Sequence, residues 1–104
     1  MTYIAPTPKP PYYAVIFTSI RTGKDDGYAE TVAKLLDLAR HQPGFLGYEG
    51  ARNPDGMGIS VSYWKSLDAI CVWRNHHEHR QVQTKADHWY GDNRIRICMV
   101  EKDY

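Results

Sequence analysis

Residues 73–90 contain the densest group of side chains that could take part in chemistry, namely four of the five histidines, two tryptophans and a tyrosine. An unperturbed histidine titrates near pH ~6.5, so it can remove a phenolic proton near neutral pH. If the segment is one continuous helix, Trp73, His77 and Arg80 share one face. His79 and Gln83 then share another face. The alternative is structural, because a helical tryptophan often packs in the core and a helical histidine often lies at the surface.

The histidines also raise the question of a metal site. His76 and His79 are three residues apart and could bind one ion. His77, Cys71 or His88 could supply further ligands. No pair matches the His-Glu-x-x-His motif or the histidine spacing of a zinc finger. We therefore expect no protein-bound metal.

The elements that must position these side chains follow a β-α-β-β-α-β order. Strands are predicted from β-branched and aromatic runs, and helices from apolar residues at helical spacing. The first predicted elements are a strand at 12–22 and a helix that carries apolar residues from 28 to 39, has Asp25 as a candidate cap and ends at Pro43-Gly44. They are followed by strands at 44–52 and 58–65 joined by a turn at 53–56, a helical segment from the cap Ser66 to residue 90 that is one helix or two, and a strand at 94–101. This order predicts an α+β, ferredoxin-like fold, with a four-stranded antiparallel sheet and the helices on one face.

The other face of that sheet needs a cover. The first strand carries bulky apolar residues on both faces, including Ile16 and Phe17, and Val61 and Tyr63 add to this surplus. A homodimer that packs sheet against sheet would bury this surface. The alternative is a monomer with an unusually aromatic sheet.

Composition limits the class of protein. The chain has 104 residues and a formal net charge of +1, which fits one domain and gives no field that would attract nucleic acid or an anionic membrane. We expect a single domain at 12–104 behind a Pro-rich N-terminal arm at 1–11, no transmembrane segment and a cytoplasmic location. Cys71 and Cys98 are too few for a disulfide framework, and we expect both to be reduced and mostly buried.

Four motifs give the chain a family resemblance. They are Pro-Gly-Phe-Leu-Gly-Tyr at 43–48, Tyr-Trp-Lys-Ser-Leu at 63–67, Trp-Arg-Asn-His-His-Glu-His at 73–79 and Arg-Ile-Arg-Ile at 94–97. Over about residues 12–104, their order and spacing resemble those of the antibiotic biosynthesis monooxygenase family. The resemblance implies a dimeric α+β barrel made of two ferredoxin-like subunits. The family includes oxygenases that oxidise phenols, quinols and polyketide-derived aromatics without metal or flavin, relatives that degrade haem, and members of unknown activity.

The resemblance also suggests where a site would lie. In the family, the tryptophan that matches Trp73 lines the pocket. Haem-degrading relatives add an asparagine on the first strand and an iron-binding histidine about three turns after the tryptophan. The corresponding positions here, by spacing, are Thr18 and Gln83. Because glutamine is a poor iron ligand, haem degradation is the least favoured of the activities that the resemblance implies.

The resulting hypothesis is a monooxygenase that uses O2 on small, electron-rich aromatic substrates without a cofactor. His79 is the candidate base, and Trp73 is the second candidate catalytic residue. The candidate substrate-binding residues are Thr18, Trp64, His77, Arg80, Gln83, Trp89, Tyr90 and Arg96. Among them, Arg80 or Arg96 would stabilise an anionic oxygen. The alternatives are a non-catalytic dimeric barrel that binds a small hydrophobic ligand, and a structural dimer with a filled core.

Overall fold

Four strands and four helices make up the fold in the computed structural model, which describes residues 3–104. They follow the order β1 (Tyr12–Arg21), α1 (Tyr28–Arg40), β2 (Phe45–Arg52), β3 (Met57–Trp64), α2 (Leu67–Arg74), α3 (His77–Gln83), α4 (Ala86–Trp89) and β4 (Tyr90–Val100). The strands form one antiparallel sheet in the order β2-β3-β1-β4. None of the helices in this described part of the chain is long and apolar enough to cross a membrane. The α+β, ferredoxin-like fold predicted from the sequence is confirmed.

The strand register separates the two faces of the sheet, because directly paired residues point to the same side. Tyr13 and Val15 of β1 pack against the core beneath the helices, so they mark the helix face. Their partners on β4, Met99 and Ile97, share that face. The alternate residues form the open face, which carries Ala14, Ile16, Thr18, Ile20, Met57, Ile59, Val61, Tyr63, Arg94, Arg96 and Cys98.

The core lies between the helix face and helices α1 and α2. Trp64 of β3 is 0% exposed, and Trp73 of α2 is also buried. Ala39 of α1 and Ile70 of α2 complete the buried cluster, with Leu35 and Leu38 packed against it. These residues of α1 recur at three- and four-residue spacing, as expected for one helix face.

The helical segment after β3 is interrupted at residues 75 and 76. Ser66 caps α2 as predicted, accepting a hydrogen bond of 3.1 Å from the Ala69 backbone N–H. A new helix, α3, begins after His76, whose Nδ1 accepts a hydrogen bond from the Glu78 N–H at 3.2 Å. The predicted segment, left open as one helix or two, is divided into α2, α3 and α4, so the shared faces that a continuous helix from 73 to 80 would create do not form. The helix breaks here because His76 adopts an extended conformation and acts as the N-cap of α3.

The start of α1 also differs from the prediction. Its N-cap is Gly27, with a φ of 79°, and no side chain caps the helix, so the assignment of Asp25 as the cap is wrong. Glycine adopts this left-handed conformation without steric cost, which lets the chain turn into the helix without a side-chain cap.

The N-terminal arm packs on the open face of β2. The Ala5 N–H donates to Glu49 Oε2 at 2.8 Å, and the Ala5 Cβ lies against Gly47. A Cβ at position 47 would come within 2.8 Å of the Ala5 Cβ, so the close approach requires glycine. The first two residues of the predicted arm at 1–11 lie outside the described residues. Residues 3–11 thus cover one edge of the open face.

Both cysteines are exposed, so the expectation that they are mostly buried is wrong. Cys71 lies on the outer side of α2, away from the buried Ile70 and Trp73. Cys98 lies on the open face of β4, which is an edge strand with a neighbour on one side only. Small apolar side chains at such edges stay accessible because half of the surrounding layer is missing.

Candidate active site

Aromatic rings from four parts of the chain form a group that we call the Trp73 cluster (Phe45, Trp64, Trp73, His76 and His79). The rings of Trp73 and His79 are stacked, with centroids 4.6 Å apart and an interplanar angle of 22°. Trp64 stacks on Trp73 at 6.4 Å, and Phe45 meets Trp64 edge-on at 5.4 Å. Since Trp64 is fully buried and His79 only half buried, the imidazole forms the outer layer of this stack.

The break between α2 and α3 creates the stack. In a continuous helix, six residues at about 100° each would place Trp73 and His79 on different faces. Because α3 starts anew at residue 77, His79 folds back over the end of α2. The His79 Nδ1–H then donates to the Trp73 backbone oxygen at 3.1 Å.

That hydrogen bond defines the tautomer of His79. A carbonyl oxygen can only accept, so Nδ1 carries the proton of the neutral ring and Nε2 keeps its lone pair. Burial lowers the pKa of His79; the hydrogen bond to Trp73 raises it, and the charges of His76 and Arg74 lower it further. The net effect is a lowered pKa, so the ring is neutral at physiological pH and presents Nε2 as a proton acceptor.

Three other predicted residues line a separate depression on the outer side of α3. His77, Arg80 and Gln83 surround a shallow cavity of about 610 Å³, together with Asn75, Gln81 and Thr84. His77 and Arg80 are exposed and lie on a different face of α3 from His79. Gln83 donates from Nε2 to the Arg74 backbone oxygen at 3.2 Å. These residues lie together, but they do not surround the imidazole.

A second cleft of about 480 Å³ runs between α1 and α3. Its lining residues are Thr31, Lys34, Leu35, Leu38, Glu78, Gln81, Val82, Thr84 and Lys85. Leu35 and Leu38 pack against the buried core that contains Trp64 and Trp73. Lys85 lies with its Nζ 5.8 Å from the centroid of the Trp89 ring. The cleft therefore reaches the core through Leu35 and Leu38 and Trp89 through Lys85, and neither Trp73 nor His79 is among its lining residues.

Trp89 and Tyr90 belong to another group, which we call the Tyr90 cluster (Phe17, Arg21, Tyr28, Arg52, Trp89 and Tyr90). Tyr90 meets Phe17 edge-on at 5.1 Å, and Tyr28 meets Trp89 at 5.4 Å. The Arg21 guanidinium lies 3.5 Å from the centroid of the Tyr28 ring. Phe17 is four residues beyond Tyr13, the β1 partner of Trp64, so about 13 Å of strand separates the two clusters.

Thr18 and Arg96 lie on the open face of the sheet. Thr18 is paired with Ile59 and Arg94, and Arg96 is paired with Ile16. Because successive strand residues point to opposite faces, neither shares a side of the sheet with Trp73 or His79. Of the predicted residues, the structure brings together Trp64, Trp73 and His79 in one group and Trp89 and Tyr90 in another.

Sequence reasoning missed the residues that complete the Tyr90 cluster. Tyr28 fits the apolar face of the first helix, and Arg52 ends a strand beside the hairpin turn. No local motif connects them with Trp89 or Tyr90. These residues come together because β1 pairs with both β3 and β4. The sequence carries no local signal for this pairing, since it depends on contacts between residues distant in the chain.

The chemistry available in these clusters comes from single side chains. Within residues 3–104, no three His, Cys, Asp or Glu side chains come together as a group that could hold a metal ion. What the Trp73 cluster does offer is a half-buried, neutral imidazole held against an aromatic stack, and its Nε2 is able to accept the proton of a phenol.

Among known proteins, the chain is similar to YqjZ of Bacillus subtilis (strain 168), an uncharacterized protein. The two are 48% identical over 103 residues, which cover 98% of this chain and 90% of YqjZ.

Solved structures share the fold at low sequence identity. SnoaB from Streptomyces nogalater, a cofactor-independent oxygenase, matches with a TM-score of 0.77 at 12% identity, covering 90% of this chain and 97% of that one. A dimeric ferredoxin-like protein of unknown function from Thermobifida fusca matches with a TM-score of 0.69 at 12% identity, covering 94% of this chain and 100% of that one. At these identities the likeness shows the fold.

The family assignment comes from the sequence itself. The model of the antibiotic biosynthesis monooxygenase family matches residues 11–85, which include β1 to α3 and the whole Trp73 cluster. This chain belongs to the antibiotic biosynthesis monooxygenase family.

Proposed function

We propose that this protein is a monooxygenase that oxidises small, electron-rich aromatic substrates with O2 and without a cofactor. The observation that carries the proposal is the neutral His79 ring, which is stacked on Trp73 with Nε2 as its acceptor. Family membership supports the reaction class. SnoaB, which shares the fold, is itself a cofactor-independent oxygenase.

The proposed reaction begins with proton transfer from a phenol or quinol to His79 Nε2. The resulting anion is electron-rich enough to pass one electron to O2, and the radical pair combines to form a carbon–oxygen bond. The peroxide anion takes the proton back from His79, and the resulting hydroperoxide loses water, which leaves a carbonyl group at that carbon of the ring. One O2 is consumed, one of its oxygen atoms enters the product and the other leaves as water, while the substrate loses two hydrogens. The protein contributes the base, the aromatic surface and exclusion of bulk water.

We place the substrate in the cleft between α1 and α3. Leu35, Leu38 and Val82 give this cleft apolar walls, and Leu35 and Leu38 also pack against the core that contains Trp64 and Trp73. A substrate ring would contact the outer side of the His79 imidazole, because Trp73 is buried and its ring is already stacked with Trp64 and His79. His77, Arg80 and Gln83 would contact only a ligand that extends around α3, and Thr18 and Arg96 take no part because they lie across the sheet.

We also propose that the protein is a homodimer that packs open face against open face. This face exposes large apolar side chains, including Ile20, Met57 and Ile59, which is 48% exposed. A monomer would leave that patch in water. Light scattering should give twice the chain mass of 12.0 kDa, and Ile59→Glu should reduce it to one chain. A wild-type mass of one chain would contradict the proposal.

Oxygen uptake by chelator-treated protein tests the proposed reaction. The substrates are a panel of hydroquinones, naphthols and anthrones, each compared with its spontaneous oxidation. We expect many turnovers per protein. His79→Ala should reduce kcat by about 100-fold or more, since the general base is lost. The control is His41→Ala, which removes an exposed histidine at the end of α1 and should retain activity.

Two outcomes would overturn the assignments. Saturable ligand binding without uptake of oxygen would indicate a binding protein in place of an enzyme. Full turnover in both His79→Ala and Trp73→Phe would show that oxidation occurs elsewhere in the molecule.

A further inference from the structure

The C-terminal end of α2 is bound by two side chains of α3. The His79 Nδ1–H donates to the Trp73 carbonyl oxygen at 3.1 Å, and Gln83 Nε2 donates to the Arg74 carbonyl oxygen at 3.2 Å. The two acceptors are consecutive and belong to the last turn of α2, whose carbonyl groups lack partners within the helix itself. The two donors are four residues apart, so they lie on one face of α3. Helix α3 is therefore attached to the end of α2 at two points, about one turn apart.

Packing holds α3 only weakly. Its residues 77–83 all belong to the described part of the chain, and none of them is buried. Val82 contributes to the apolar wall of the cleft, and Glu78 meets Lys34 at 3.6 Å between partly exposed side chains. An exposed ion pair of this kind contributes little to stability. Stacking restrains the plane of the His79 ring, but it does not set the direction of the ring nitrogens within that plane. That direction depends on how α3 is turned against the end of α2.

We propose that Gln83 is the positioning residue for His79. Its bond to Arg74 keeps α3 turned so that Nδ1 of His79 stays on the Trp73 carbonyl oxygen and Nε2 stays available as the proton acceptor. Without Gln83, the imidazole is the one side chain of α3 that holds this helix end, and it is free to turn away and to exchange its proton between the two nitrogens. The inference deepens the proposed function, and it rests on that function only for the effect on turnover.

Substitutions at position 83 separate the donor from the size of the side chain. Gln83→Met keeps the length and the helix propensity but has no N–H, so it should release the Arg74 carbonyl group. Gln83→Lys keeps a donor, and a cation at the C-terminus of α2 is favourable, so it should restore the attachment. The matched control is Gln42→Met, because Gln42 Nε2 donates to the Leu38 carbonyl oxygen at 3.4 Å at the end of a different helix.

The tautomer of His79 is the readout that a purely structural role would not move. Long-range proton–nitrogen NMR distinguishes a protonated ring nitrogen from one with a free lone pair, and His79→Gln assigns the signals. At pH 8, the wild type and Gln42→Met should both show a protonated Nδ1 and an unprotonated Nε2. Gln83→Met should show signals averaged between the two tautomers, and Gln83→Lys should return them toward the wild-type positions. Because Gln83 is exposed, the fold should tolerate all these changes, and thermal unfolding checks it.

Two spectra would overturn the inference. One is a Gln83→Met spectrum identical to that of the wild type, and the other is a wild-type spectrum that is itself averaged or shows a protonated Nε2.

Turnover provides a second readout. Under the proposed reaction, Gln83→Met should lower kcat by about tenfold and leave KM nearly unchanged, because the base is misdirected while the cleft is intact. Gln83→Lys should recover most of the loss. A raised KM with unchanged kcat and tautomer would make Gln83 a ligand contact and overturn the inference. A tautomer change in Gln83→Met, together with a wild type that takes up no oxygen, would uphold the inference and contradict the proposed oxygenase instead.

Discussion

The Trp73 cluster and the Tyr90 cluster lie toward opposite ends of the helix face and use the same kinds of ring, yet their unused polar groups are opposite in character. In the Trp73 cluster the group left over is an acceptor, Nε2 of His79. In the Tyr90 cluster the buried group left over among residues 3–104 is a donor, the Trp89 N–H. Aromatic content therefore does not distinguish the two ends. Their unpaired hydrogen-bonding atoms do, because one is a proton acceptor and the other is a donor.

The largest difference that we expect between the clusters is in stability. Trp64→Ala should lower the free energy of unfolding by about 3–5 kcal/mol, because it opens a cavity in the core and leaves Ser62 without its partner. Trp89→Ala should cost at least about 1 kcal/mol less, because it also removes an unpaired buried donor. Urea unfolding of both variants measures this, with Trp64→Phe replacing the alanine variant if that one does not fold. Equal losses would show that the Trp89 N–H has an acceptor in solution.

Glycine substitutions compare the surroundings of the two clusters. Gly44 has a φ of 85°, and a Cβ there would lie 2.7 Å from the Ala69 Cβ of α2. Gly23, in the loop after β1, has a φ of 90° and open space around it. Gly44→Ala should therefore cost about 2–4 kcal/mol, from backbone strain and overlap, whereas Gly23→Ala should cost about 1 kcal/mol from strain alone. Urea midpoints check this, and a Gly44→Ala variant as stable as Gly23→Ala would mean that α2 shifts freely.

The lowered pKa of His79 gives the Trp73 cluster a pH dependence. In the unfolded chain the histidine titrates near its ordinary value of 6.5, and in the folded chain below it. Between these values the unfolded state binds more protons, so stability should fall as pH drops from 7 toward 5. Activity that needs neutral His79 should persist below pH 6.5 and fall only as the pH passes the lowered pKa of the folded state. His79→Gln should flatten the stability slope in urea unfolding at the two pH values.

An NMR titration of the His79 ring provides the direct check of that prediction. A folded-state pKa at or above 6.5 would show that the stacked, half-buried ring is better solvated than its packing against Trp73 indicates.

The smallest effect on stability is expected at the cleft between α1 and α3. Lys34 Nζ lies 3.6 Å from Glu78 Oε2 and joins α1 to α3 across partly exposed positions. Lys34→Gln should cost less than about 1 kcal/mol, and the loss should shrink as salt is added. Thermal unfolding at low and high salt measures it. A larger, salt-independent loss would show that α3 depends on this ion pair for its position.

Local patterns allowed most of the fold to be predicted. The element order, the hairpin at 53–56 and the Ser66 cap follow from turn residues, caps and periodicity, all of which act over a few residues. The helix break after Asn75 did not follow from them, because residues 73–83 are compatible with helix throughout. The outcome there depends on His76 capping α3 and on His79 and Gln83 bonding to the end of α2.

The sequence by itself determined the family, the ferredoxin-like fold and the presence of a histidine and aromatic side chains able to handle a phenol. Tertiary structure alone decided which of them meet. It placed His79 on Trp73, moved Thr18 and Arg96 to the other face of the sheet, and joined Tyr28 and Arg52 to Tyr90. The physical reason is that strand register and helix breaks set side-chain direction, and a shift of one residue in a strand reverses the face on which a group lies.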